Sequence, residues 1–438
     1  MLIIKYNMLF KQSLLSFPIL FNIAADKRME QQMADIAIER VSFQLTPAAE
    51  KEVKKGHPWV FDKGIVKQNK EAQAGAFAVI YDKERKFVGL GLYDPDSPIR
   101  IRMLHRGKPV TIDSDWLKEK LSTSISARRK IFADERTTGF RLVNGENDGL
   151  PGIIADYYDK TLVIKFDSAI WLPYLDLLTG IFDELLKPEC IILRLSRSID
   201  VKKIARSIGD SAVLKGSAPK GAVIFRENGI LFEAEPIHGQ KTGFFLDQRD
   251  NRSKVEKYAK NRDVLNVFSY TGGFSLYAAR GGASSVISLD LSEPALRAAK
   301  RNFELNKDDI LIAECRHSTI CMDAFEALAE LARQKKRFGM VIVDPPSFAR
   351  KQSDVQSAVS AYQKLTRLAL GVLDDAGILV SASCSARVPS DMFFDAVLKA
   401  AAKAGRPLQV MQKTGHAADH PVGFPEGEYL KCMFSFVK

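Results

Sequence analysis

No stretch of the chain approaches the ~20 uninterrupted apolar residues that a membrane-spanning helix requires, which argues against a helical membrane protein. Cysteine is scarce. Cys190, Cys315, Cys321, Cys384 and Cys432 form no CxxC pair, no regular disulfide spacing and no Cys/His zinc pattern. That excludes a disulfide-stapled scaffold and a zinc module, and free thiols in a reducing, cytoplasmic compartment are expected. His416 and His420 stand four apart, as a helical metal pair would, but Gly415 and Pro421 flank them and favour a loop, so no metal is assigned. The dinucleotide fingerprint GxGxxG is missing, which weighs against a dehydrogenase. Internal repeats and low-complexity tracts are also missing.

What is present is a globular composition: 438 residues, 46% hydrophobic and 27% charged, enough for two or three domains. Lys and Arg number 64 against 53 Asp and Glu, a formal charge of +11 that suits a polyanion such as RNA or DNA. Residues 1–36 run from basic residues through LLSFPILF to small residues, mimicking a secretory signal. The rest looks intracellular, so this segment is expected to be a disordered extension or to precede a start at Met29 or Met33. Residues 37–107 alternate short strands and turns, with a hairpin at DKERK, as a compact β-rich domain would. Residues 108–235 mix α and β, closing with a hairpin in AVIFRENGILFEAE that turns at Glu227–Gly229.

From residue 236 to 438 the rhythm becomes alternating β and α. VLNVF, VISLD, MVIVD and GILVSAS are short runs apolar on both faces, as central strands of a parallel sheet should be. Ser292 and Pro294 make a sensible start for the helix after VISLD. The predicted fold is therefore α/β, a doubly wound sheet whose ligand sits beyond the carboxyl ends of the strands. The loop after the first strand, Phe268, Ser269, Tyr270, Thr271, Gly272 and Gly273, allows a tight turn and a close backbone approach by a ligand. Asp290 ends the second strand, where a carboxylate can accept both hydroxyls of a ribose. Asp323 is expected to end the third and to take an adenine amino group. The fourth ends in VIVDPPSF, where Pro345 and Pro346 stiffen the exit and aim Asp344 into the cleft. Phe348 is placed to stack on a planar base.

Taken together, GFFLDQRDNR, VLNVFSYTGGFSLYAARGG, SLDLSEPALRAAKRNFELN, VIVDPPSF, SASCS and ADHPVGFPEGEYLK resemble one family. It is the bacterial S-adenosylmethionine-dependent 23S rRNA cytosine-C5 methyltransferases with an N-terminal PUA domain. GHPWVF (Gly56 to Phe61) is similar to that family's PUA opening, and RLVNGENDGLPGIIADYY to its linking domain. The resemblance covers nearly everything after residue 40. It implies a Rossmann-like methyltransferase domain behind a small PUA domain and an α+β linking domain. S-adenosylmethionine would lie over residues 268–273, with Asp290 at its ribose, Asp323 at its adenine and Asp344 between cofactor and target base. The substrate side would add Pro345, Pro346, Phe348 and Arg249. The partner implied is RNA, 23S rRNA in particular, gripped by the PUA domain and by the basic stretches SARRK and DVKK. RQKKR reads better as a solvated helix face. A homodimer is compatible with the sequence.

Cys384, just beyond the fifth strand, carries the chemistry. Carbon 5 of cytosine is a poor nucleophile until another nucleophile adds at carbon 6 and makes it an enamine carbon. A thiolate suits that step because it attacks and leaves readily. Asp344 would assist by donating a proton to N3, which needs a raised pKa in a dry site. Ser383 and Ser385, small and polar, would leave the thiol open to substrate. Many RNA cytosine-C5 enzymes carry a second cysteine beside the acidic motif. DPPSF has none, an absence the resembling family shares, so product release must use another base or water. Three alternatives remain: methylation of guanine N7 or an exocyclic amine, methylation of uridine C5, and a non-catalytic RNA-binding assembly factor on a retained fold.

Overall fold

The computed structural model describes residues 39–133, 135–200 and 208–438. The N-terminal signal-like segment and most of DVKK lie outside these.

The first domain is a six-stranded sheet built from β1 (Arg40–Leu45), β2 (Trp59–Phe61), β3 (Ile65–Gln68), β4 (Phe77–Tyr81), β5 (Phe87–Tyr93) and β6 (Ile99–Arg106), with α1 (Pro47–Lys54) after the first strand. The order is β2-β6-β5-β4-β1-β3, and β4 and β5 form the hairpin expected at DKERK. Val41, Phe43, Val60, Ile80 and Ile101 alternate inward to make its core.

The middle domain begins with α2 (Ser114–Ile131), capped by Asp113, whose carboxylate accepts from the Trp116 N–H at 2.9 Å. Its sheet, β11-β10-β9-β8-β7, uses β7 (Gly139–Asn144), β8 (Ile153–Tyr158), β9 (Thr161–Phe166), β10 (Cys190–Leu195) and β11 (Val213–Lys215), with α3 (Leu175–Leu186) crossing from β9 to β10. The closing hairpin, β12 (Val223–Glu227) and β13 (Ile230–Ala234), leaves this layer. Phe225, Ile230 and Phe232 bury themselves with Phe244, Val255 and Tyr277 of the C-terminal block, so the hairpin braces the sheet that follows.

That sheet runs β16-β15-β14-β17-β18-β20-β19. Its elements in chain order are α4 (Arg249–Tyr258), β14 (Asp263–Val267), α5 (Gly273–Arg280), β15 (Ser285–Asp290), α6 (Glu293–Leu305), α7 (Ile310–Glu314), β16 (Arg316–Cys321), α8 (Ala324–Arg333), β17 (Phe338–Val343), α9 (Val355–Gly371), β18 (Leu373–Ser383), α10 (Ser390–Lys403), β19 (Leu408–Thr414) and β20 (Lys431–Val437). β14 to β18 are parallel; β20 inserts antiparallel between β18 and β19. The doubly wound α/β expectation is met. Ser292 caps α6 as its position suggested, accepting from the Ala295 N–H. Strand order reverses between β14 and β17, which opens a crevice at their carboxyl ends.

Candidate active site

A cavity of about 460 Å³ fills that crevice, a volume suited to a nucleotide-sized molecule. Phe268 to Thr271, Gly273, Asp290, Asp323, Asp344, Pro345, Pro346, Phe348 and Cys384 all line it. One cavity therefore gathers residues from four separate strand ends.

The loop from β14 to α5 is unusual. Phe268 and Tyr270 hold φ values of 61° and 48°, the left-handed region bulky side chains avoid at a cost of ~1–3 kcal/mol each. Asp290 secures the loop: one carboxylate oxygen accepts the Tyr270 N–H and the other the Ser292 N–H, both at 2.8 Å. Gly272 does not line the cavity. With φ 79° it begins α5, and a Cβ there would stand 3.0 Å from Ala299 of α6, so its role is close packing. Ser269 lines the cavity, and its buried hydroxyl has no hydrogen-bond partner among the described residues. Leu291 is 71% exposed and Met322 38% on the rim. An orphaned hydroxyl, a carboxylate and an apolar rim fit the ribose and adenine of S-adenosylmethionine. β16 stops at Cys321, so Asp323 does not end a strand as expected; it caps α8, its Oδ1 accepting from Phe325 and Glu326. It remains on the cavity wall.

The chemical end of the cavity holds Asp344 and Cys384. Burial, then the nearby Asp247 carboxylate, push Asp344 up to about 7. Burial, then Asp344, push the Cys384 thiol up to about 11. The thiol rests 3.9 Å from the Pro345 carbonyl. The flanking serines do not open the loop. Both are fully buried, and their hydroxyls each meet the Tyr362 hydroxyl at 2.8 Å. Ser385 Oγ also accepts the Phe348 N–H at 3.1 Å, so one buried hydroxyl fixes both the thiol loop and the aromatic.

Arg249 is corrected. It is 2% exposed, and its two terminal nitrogens hold Asp419 at 2.9 and 2.7 Å while its plane covers Phe132. It cannot reach a substrate in the cavity. SARRK is corrected likewise at Arg128, which is buried in a bidentate pair with Asp148, both bonds 2.8 Å. His416 and His420 do lie in a loop, and the latter's Nδ1 meets Asp419 at 2.8 Å. That loop joins the domains. The Arg141 N–H and Arg249 share Asp419, and Phe424 packs edge-on against Trp59 of the first domain with ring centres 5.0 Å apart.

Two residues, Asp247 and Lys431, are not singled out by the sequence reading. Asp247, on a turn ahead of α4, lines the cavity; its Oδ2 accepts from the Tyr429 hydroxyl at 2.8 Å and Lys241 Nζ at 3.1 Å. Lys431 is buried without a carboxylate partner among the described residues, donating to the Ser385 carbonyl at 2.6 Å and the Tyr429 carbonyl at 3.2 Å. Burial pushes it down to about 8. A lysine opening the otherwise apolar run KCMFSFV was the available signal.

Residues 195–427 match the family described as S-adenosylmethionine-dependent methyltransferase, and residues 43–106 match PUA-like domain. A ribosomal RNA large subunit methyltransferase from Deinococcus radiodurans is 43% identical over 90% of this chain and 97% of its own length. Ribosomal RNA large subunit methyltransferase I from Alteromonas mediterranea is 36% identical over 89% and 97%. A solved structure assigned as an S-adenosylmethionine-dependent methyltransferase from Streptococcus mutans covers 90% of this chain and 100% of its own at TM-score 0.76 and 23% identity. That last likeness bears on the fold.

Proposed function

Because the chain belongs to the S-adenosylmethionine-dependent methyltransferases and carries a PUA-like domain, we propose that it methylates carbon 5 of a cytosine in large-subunit ribosomal RNA through a transient bond from Cys384 to carbon 6. The observation that carries the reading is Cys384 and Asp344 on one cavity wall, the thiol beside a carboxyl held near neutrality. S-adenosylmethionine, when bound, supplies an electrophilic methyl group. The protein's part is to make carbon 5 nucleophilic. Asp344 in its acid form donates its proton to N3 as the sulfur bonds to carbon 6, and the carboxylate it becomes takes up the thiol's proton. Net addition of S–H across the ring leaves no new charge in a dry site, which suits a thiol that burial holds in its neutral form. After methylation, carbon 5 gives up its proton to a base or water and the carbon–sulfur bond breaks. Phe348 stacks on the extruded base while the stiff Pro345–Pro346 exit presents Asp344 to its N3 edge.

RNA as the partner is supported by the first domain, where Lys51, Lys54, Lys55 and Lys83 line one groove. The test is mass-spectrometric mapping of modified nucleosides in 23S rRNA with and without the gene. Loss of one 5-methylcytidine is expected. Unchanged cytidines throughout would sink the proposal.

A further inference from the structure

We propose that Asp247 reads the exocyclic amine of the target base, and so makes the site select cytosine over uracil. The inference rests on the cytosine reading above and adds the residue that enforces it. Asp247 is 4% exposed and lines the same cavity as Asp344 and Cys384. Its two oxygens differ. Oδ2 is committed to the Tyr429 hydroxyl and to Lys241, whereas Oδ1 is buried with no hydrogen-bond partner among the described residues. The large majority of buried polar side-chain atoms have a hydrogen-bond partner, so an orphaned oxygen on a cavity wall calls for one.

The charge state fixes what that ligand must be. Burial alone would raise the Asp247 pKa, but Lys241, His420 and the Tyr429 hydroxyl outweigh it and hold the carboxyl well below its usual range. Asp247 is therefore an acceptor only. Asp344, pushed up to about 7, carries its proton up to about that pH and in that form is a donor. Cytosine presents an amine donor at carbon 4 beside an acceptor at N3. Uracil presents the reverse, an acceptor at O4 beside a donor at N3. An acceptor locked next to a donor matches the first edge and opposes the second at both atoms. Lys241 and Tyr429 prevent Asp247 from adapting, because turning the carboxylate would break two bonds to make one.

The experiment uses RNA spanning the cytosine located by the nucleoside mapping, with cytosine or uracil at that position, in single-turnover methylation by wild-type and Asp247→Asn enzyme. S-adenosylhomocysteine affinity is measured by calorimetry alongside. Wild type should prefer cytosine by about 100-fold or more, and Asp247→Asn should narrow that to within about 10-fold, with the cofactor-product affinity unchanged. Tyr429→Phe, which leaves the carboxylate but removes one of its two locks, should narrow the preference a few-fold, so the idea is tested even if Asp247→Asn does not fold. Equal losses on both bases would overturn it. So would a fall in S-adenosylhomocysteine affinity matching the fall in rate, since the carboxylate would then be holding the cofactor's ammonium group. Wild-type enzyme that methylates neither base would remove the cytosine reading itself, a failure visible before any variant is made.

Discussion

Asp247 and Arg249 stand two residues apart in one short segment and live under opposite rules. Arg249 turns into the seam between domains, where every charge has its counterpart: Asp419 for Arg249, Asp156 for Arg141, Asp148 for Arg128, Glu227 for Arg252. Asp247 turns the other way, into a cavity where carboxylates and a thiol crowd together with too few partners. The seam arginines are buried, whereas Asp344 and Cys384 are only half-buried at the cavity wall. Paired burial depresses or locks each acid and makes structure; unpaired burial lifts Asp344 to about 7, where a carboxyl can both give and take a proton, and holds the Cys384 thiol in its protonated form beside it. Burial of a charge is therefore a poor guide to function here, whereas the absence of a partner is a good one.

Three substitutions sharpen that contrast. Cys384→Ala should lower methyl transfer by about 10⁴-fold or more while leaving the melting temperature close to wild type. Activity that survives it would point to nitrogen chemistry, which needs no nucleophile. Arg249→Ala acts on the other side. It takes the bidentate guanidinium from buried Asp419, leaving the Arg141 N–H and His420, and should cost about 3–5 kcal/mol in urea unfolding, and a variant as stable as wild type would break the distinction drawn between the two regions. Asp344→Asn should slow methylation by about 100-fold, within the range for loss of a general acid. It should also stabilise. A carboxyl whose folded pKa is about 7, above the unfolded value near 4, penalises the native state once it ionises. The gain from Asn is therefore largest above pH 7, fades as pH falls towards 4, and is worth roughly 3 °C in melting temperature. A pH-independent melting difference would refute it.

The part of this centre that was legible from sequence is the part encoded locally. VISLD and VIVDPPSF each place an acid at the end of an apolar run, and period and turn residues suffice to put such an acid at a sheet's carboxyl edge. The helix capped by Ser292 follows from three adjacent residues. Partnership was not legible. Arg249 sits among motif residues, yet its mate Asp419 is 170 positions away, so a basic residue near the site was taken for a substrate contact. Arg128 was misjudged for the same reason. Asp247 was passed over because nothing in the order of residues says that one of its oxygens will be left without a donor. Ser383 and Ser385 look open because serine is polar, but both hydroxyls are taken up by Tyr362, more than 20 residues back. The closing hairpin reads as one from its turn, but which sheet it braces is decided by where Phe225 and Phe232 find apolar company.

The antiparallel insertion of β20 between β18 and β19 has a consequence in time. The segment leading into this strand delivers Tyr429 to Asp247, and its first residue delivers Lys431 to the loop carrying Cys384, with Ser383 directly across the ladder. The nucleotide-binding loop, the stiff acidic exit and the thiol all lie earlier in the chain, and both anchors come with this strand. Non-local strand pairing of this kind closes late. Bracing of the carboxylate and of the thiol loop is then completed by the same pairing that completes the sheet.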